Sequence, residues 1–210
     1  MKGRKVKRKP VTKAILTICI PTIYGREDNY SNMVENINEQ ISNSKNTGKV
    51  LIIKEVDNKE LSIGLKRQKL LDNVTTPYCV QIDDDDDIAP DYISEVMKAL
   101  SSEPDCVGYL ESVNMDGAER TCIHSNRFDN WYTSHQGYDY VRCIFNKDVI
   151  KTSIAKTIGF TDLRYAEDYD FSFRLKQSQL LEREVFIDKI MYYYNTKIYT
   201  PKEQNERYGI

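Results

Sequence analysis

Three short runs rich in apolar and β-branched residues, Ile15 to Ile20, Val50 to Val56 and Tyr78 to Ile82, are separated by longer polar stretches with helical spacing. That alternation constrains the fold more than any other feature of the chain. Met33, Ile37 and Ile41 share a helical face in the first intervening stretch, as do Ile63, Leu70, Leu71 and Val74 in the second. Strand, helix, strand, helix, strand in this order predicts a parallel sheet with right-handed crossovers. Pro90 suits the first turn of a third helix, marked by Ile93, Val96, Met97 and Leu100. From about Cys106 the chain is richer in tyrosine and less regular. Here Asp148 to Ile158 predicts a helix with Val149, Ile150, Ser153, Ile154, Thr157 and Ile158 on one side, Tyr138 and Tyr140 alternate as in a strand, and Tyr192 to Tyr194 fit a late strand.

In an open parallel sheet, ligands collect where loops leave the carboxyl ends of the strands. All three candidate strands end in residues capable of chemistry: Pro21-Thr22, Asp57, and the run Asp83 to Asp87. Five adjacent carboxylates repel one another, so a buried strand that ends in them needs a source of positive charge. A turn of aspartates offers hard oxygen ligands to Mg²⁺ or Mn²⁺, which commonly link carboxylates to a diphosphate. A helix-loop-helix calcium site does not fit, because Ile88 stands where that loop needs Gly and Ser94 where it needs Glu.

With 210 residues, 40% hydrophobic and 30% charged, the chain can form one substantial core or two tightly joined half-domains. No apolar run approaches the ~20 residues that cross a bilayer. The N-terminus has no signal-peptide core, and the five cysteines, an odd number without a C-x-x-C pair, read as reduced thiols. A cytoplasmic location is the expectation. Residues 1–9 hold six basic side chains, so a net charge of −2 conceals a basic arm on an acidic body. Such an arm suits nucleic acid or an anionic membrane surface, though short basic termini are more often only solvated.

The segments "ILTICIPTIYGR", "GLKRQKLLDNVTTPYCVQIDDDDDIAPDYI" and "IGFTDLRYAEDYDFSFRL" resemble family 2 glycosyltransferases, over most of residues 14 to 180. The resemblance implies the GT-A fold, an α/β, Rossmann-like architecture with a mostly parallel central sheet flanked by helices. After the basic arm at 1–10, it implies a single domain with a nucleotide-sugar half at 11–104 and an acceptor half at 105–210. Pro21, Thr22, Asp57, Arg67, Asp83 and Asp85 would then bind the nucleotide-sugar, with Asp85 and Asp83 holding Mn²⁺ or Mg²⁺. Asp168 would be the general base and Glu167 its supporting carboxylate. A base is needed because a hydroxyl is a poor nucleophile until its proton is taken. Asp86 would face the acceptor, and aromatic residues suit stacking on sugars, which adds Trp131, Tyr132 and His135.

The expected reaction is metal-dependent, inverting transfer from a nucleotide-diphosphate sugar to a hydroxyl acceptor, a glycan or glycoconjugate. Three alternatives stay open on the sequence: a nucleic-acid acceptor carrying a modified base, a nucleotidyltransferase, and a non-catalytic nucleotide-sugar-binding module. "PTIYGRED" supplies only one glycine where a nucleotidyltransferase would want a Gly-rich phosphate loop.

Overall fold

Strand β1 (Leu16–Ile23) is the axis of the architecture, pairing in parallel with β2 (Val50–Asp57) on one side and β3 (Tyr78–Gln81) on the other. The computed structural model describes residues 13–196; the basic arm at 1–10 lies outside them. Helices α1 (Glu27–Asn43) and α2 (Ile63–Asn73) make the two crossovers. Side chains alternate along a strand, so β1 feeds two layers. Leu16, Ile18 and Ile20 pack with Met33, Ile37 and Ile41 of α1, while Cys19 packs with Leu70 and Leu71 of α2. Each fully buried Leu or Ile contributes about 1.5–3 kcal/mol relative to exposure. The α1 layer also receives α3 (Tyr92–Ala99) through Tyr92, Ile93 and Val96. Its N-cap is Asp91, so Pro90 precedes the helix rather than entering its first turn.

The sheet continues beyond β3 as one mixed surface. β4 (Asp87–Ile88) is a two-residue strand against the last one. β5 (Cys106–Met115) and β6 (Ala118–His124) form an antiparallel hairpin, and β7 (Tyr132–His135) and β8 (Tyr138–Arg142) form another. The two hairpins join through parallel pairing of β6 with β8.

The helix expected over Asp148 to Ile158 is instead a strand followed by a shorter helix: β9 (Val149–Lys151), then α4 (Thr152–Ile158). Val149 and Ile150 are almost fully buried, in a slot between β3 and β5 that runs antiparallel to both. Two β-branched residues in the sheet centre bury more there than they would on a helix face.

α5 (Glu167–Ser178) packs Phe171 and Leu175 into the α2 layer. β10 (Glu184–Thr196) closes the fold, parallel to β5 and antiparallel to β4. All five cysteines are buried and unpaired. Among the described residues no helix is long and apolar enough to cross a membrane.

Candidate active site

The five aspartates lie on a turn after β3, closed by a hydrogen bond from the Asp86 amide to the Asp83 carbonyl. A turn points successive side chains in different directions, and here each of the first four meets a different environment. Asp83 accepts two bonds from Nη2 of Arg67, at 2.9 and 3.3 Å. Asp84, which is buried, accepts the Thr22 hydroxyl and Nη1 of Arg26. Asp85 is exposed and is reached at 2.9 Å by that same Nη1. Asp86 turns to the opposite side, where it accepts Lys147 Nζ at 3.0 Å and the Tyr192 hydroxyl at 2.6 Å. Asp87 is exposed on β4. Three side-chain cations of the chain itself therefore face four of the five carboxylates.

Burial acts to raise the pKa of Asp83, but Arg67 and then Lys147 outweigh it and hold the carboxyl below its ordinary range. For Asp86 burial prevails over the pull of Lys147, and its pKa is pushed up to about 7.

Arg67 joins this run to the second carboxylate cluster. Its Nε donates to Glu167 Oε1 at 3.0 Å and its Nη1 to Gln81 Oε1 at 3.3 Å, so one buried guanidinium bridges α2, β3, the aspartate turn and the start of α5. The sequence permits this junction in two ways. Ser62 caps α2 by accepting the Leu65 amide at 3.0 Å, and donates to Asp162 at 2.6 Å. Gly64 leaves room for the loop before α5: a Cβ there would lie 2.0 Å from the Thr161 carbonyl oxygen. Ala166, just before α5, adopts φ +59°, a left-handed conformation that costs a non-glycine residue of order 1 kcal/mol. Burial raises the pKa of Glu167 against the opposing pull of Arg67. Asp168 is half-buried in the first helical turn, and its Oδ1 accepts the Tyr169 amide at 2.7 Å.

These elements enclose a cavity of about 700 Å³, within the usual span of small-molecule sites. Of the residues expected from sequence, Pro21, Thr22, Arg67, Asp83, Asp85, Trp131, Glu167 and Asp168 line it together. Asp57 does not line it, because its carboxylate forms an ion pair with Lys66 and accepts the Leu61 amide at 2.8 Å; Lys66 and Leu61 form the wall instead. Nor does Asp86, which is turned toward Lys147. Tyr132 and His135 stack on each other on β7, ring centroids 4.5 Å apart, away from the cavity wall. Asp86, Tyr132 and His135, expected as acceptor contacts, are thus not among the residues that line this cavity.

Several wall residues were not read from the sequence: Arg26, Lys66, Arg164, Tyr165, Tyr169 and Tyr194. For Arg26 a signal existed, since a run of five carboxylates demands nearby cations and this arginine follows the first strand. Lys147 and Tyr194 carried none, because only the sheet brings them to the aspartate turn.

The donor set facing the cavity, Asp85 with Asp83, is all carboxylate oxygen and so fits a hard divalent cation. A different trio, Glu111, Cys122 and His124, has donor atoms within 4.8 Å of one another. Both His124 nitrogens are already taken, by Asp148 at 3.2 Å and Glu111 at 3.1 Å, so this trio belongs to a hydrogen-bonded network.

No protein-family model and no curated protein matches the chain. Solved structures do. S. aureus TarS 1–349 in complex with UDP-GlcNAc aligns with a TM-score of 0.60 at 14% identity, over 89% of this chain and 60% of that one. Its complex with UDP gives 0.60 at 15% identity, over 91% and 62%. A longer TarS structure gives 0.58 at 14% identity, over 91% of this chain and 38% of that one. The fold is the GT-A fold, and the chain spans about 60% of the length of TarS 1–349.

Proposed function

We propose that this chain is a metal-dependent, inverting glycosyltransferase that moves a sugar from a nucleotide-diphosphate sugar to a hydroxyl of a glycan or glycoconjugate. One observation carries the reading: two carboxylate clusters, Asp83 to Asp85 and Glu167–Asp168, far apart in the chain, line one cavity and are tied together by Arg67. One cluster suits the leaving diphosphate and the other suits the nucleophile. TarS structures hold UDP and UDP-GlcNAc, so uridine nucleotides are the first donors to test.

Pro21 and Thr22 at the end of β1, with Lys66 behind them, form the floor on which the nucleotide would rest. Asp85, supported by Asp83, would hold Mn²⁺ or Mg²⁺, which when bound offsets charge on the diphosphate. Asp168 takes the proton of the acceptor hydroxyl. The freed oxygen pair bonds to the anomeric carbon from the face opposite the diphosphate, and the bond from that carbon to the diphosphate oxygen breaks with its electrons leaving on the nucleotide. Glu167, fixed by Arg67, keeps the first turn of α5 in place. Trp131 and Tyr169, whose rings meet edge to face at 5.3 Å, give the wall an aromatic surface suited to a sugar ring.

The test is release of UDP from UDP-sugars in the presence of Mn²⁺ and glycan acceptors. Asp85→Ala is expected to reduce it by at least about a hundredfold, comparable to removing a group that stabilises developing charge. Asp85 is exposed, so the variant should fold. Undiminished release by Asp85→Ala would contradict the assignment.

A further inference from the structure

The cations facing the aspartate turn are not equivalent. Arg67 and Lys147 are buried, and each holds groups from several elements. Removing either would leave uncompensated charge in the interior. Arg26 differs on three counts. Its side chain is 35% exposed. It projects from the short connection between β1 and α1, on the cavity wall. A single nitrogen, Nη1, makes both of its carboxylate contacts, at 2.9 Å to Asp84 and 2.9 Å to Asp85, so the guanidinium does not use the paired geometry that makes such bonds strong. Partly exposed ion pairs of this kind are readily exchanged.

We infer that Arg26 is a tethered cation that occupies the Asp84–Asp85 carboxylate pair in the ligand-free protein and yields Asp85 to an incoming divalent cation. Asp85 is both the exposed member of the run and the expected metal ligand, so the two positive charges compete for one carboxylate. Displaced from Asp85, Arg26 stays on the cavity wall, where it can donate to a diphosphate. Arginine is suited to that second role, because its donors match phosphate oxygens. The aspartate turn is therefore neutralised at every stage, by the chain's own arginine first and by metal with diphosphate afterwards. This deepens the donor-site reading and rests on it for the identity of the diphosphate.

The test compares wild type with Arg26→Met using two measurements: Mn²⁺ alone, followed by the electron paramagnetic resonance of the free ion, and UDP at saturating Mn²⁺, followed by calorimetry. Removing the resident cation should tighten Mn²⁺ by about fivefold, the scale of one partly exposed ion pair. The same change should weaken UDP at saturating Mn²⁺ by about tenfold, the scale of a hydrogen bond to a charged group. Arg26→Lys should keep Mn²⁺ affinity near wild type. Should Arg26→Met fail to fold, Arg26→Gln, neutral but still able to donate to Asp84, replaces it.

Equal or weaker Mn²⁺ binding by the neutral variant would overturn the inference. If wild type binds UDP with Mn²⁺ while the variant leaves Mn²⁺ affinity unchanged, the inference falls and the donor site stands. If wild type binds no nucleotide but the neutral variant tightens Mn²⁺, the competition stands and the donor reading falls.

Discussion

Asp168→Asn is expected to lower the rate of glycosyl transfer by about 10²–10⁴-fold, the contribution of a positioned general base. The geometry favours Asp168 over its neighbour. Glu167 is buried and its Oε1 is committed to Arg67 at 3.0 Å, so it is occupied as an ion-pair partner. Asp168 stands half-buried on the cavity wall, and its carboxylate accepts the amide of the next residue. Asparagine has the same shape and can accept that amide bond through its carbonyl oxygen, so unfolding temperature should be nearly unchanged. It cannot take a proton. Donor KM should therefore move little while kcat falls, the pattern of an interaction made in the transition state. Steady-state kinetics with UDP-sugar at saturating acceptor separate the two. A variant that retains wild-type kcat would assign the base elsewhere.

Glu111→Gln is expected to destabilise the fold by about 3–5 kcal/mol, the scale of breaking a buried ion pair from one side. Glu111 accepts from His124 at 3.1 Å through one oxygen and faces Lys147 at 3.4 Å through the other. His124 is also held by Asp148 at 3.2 Å, and Lys147 by Asp86 at 3.0 Å. A chain of buried charges thus runs from the β5–β6 hairpin to the back of the aspartate turn. Neutral glutamine would leave two buried cations with one anion fewer. For a chain of this size the unfolding midpoint should drop by about 10 °C. Glu35→Gln, on the exposed face of α1, should change stability by less than about 0.5 kcal/mol.

The acid side of the stability profile gives an independent reading of the same group. Burial acts to raise the pKa of Glu111, but Lys147 and then His124 overcome it and hold the carboxyl down at about 2. A depressed carboxyl contributes stability above its unfolded pKa, about 4.3, and loses it as pH falls through the folded value. Wild-type stability should therefore decline from about pH 4.5 toward pH 2, and part of that slope should vanish in Glu111→Gln. His124 titrates the other way. Burial works against its charge, but Asp148 and Glu111 carry its pKa well above the usual histidine value, so its stabilisation is complete below the unfolded histidine pKa, about 6.5, and is lost as pH rises from there through the folded value.

How much of this was legible in the sequence depended on whether the controlling contacts were local. β1, β2 and β3 were legible because β-branched runs bounded by turns need a buried sheet. α1 was legible because Met33, Ile37 and Ile41 repeat at one helical turn. The start of α5 carries Glu167-Asp168, two acids suited to a helix N-terminus. Val149 and Ile150 misled because their spacing fits a helix, while the gap between β3 and β5 selects a strand. Site residues divide in the same way. Pro21, Thr22 and the aspartates belong to strand ends, which sequence can place. The partners of those aspartates cannot be placed so: Arg26 reaches Asp84 across 58 residues and Lys147 reaches Asp86 across 61. The orientation of Asp86, toward a lysine rather than an acceptor, follows from those tertiary pairings.

The most direct test of the central claim is thermal unfolding with UDP, GDP, CDP, dTDP and ADP, each with and without Mn²⁺. A nucleotide at about 100 times its dissociation constant adds about 2.7 kcal/mol to stability. A clear rise in midpoint with UDP that grows when Mn²⁺ is present is the expected result. No rise with any nucleotide, in either condition, would contradict it.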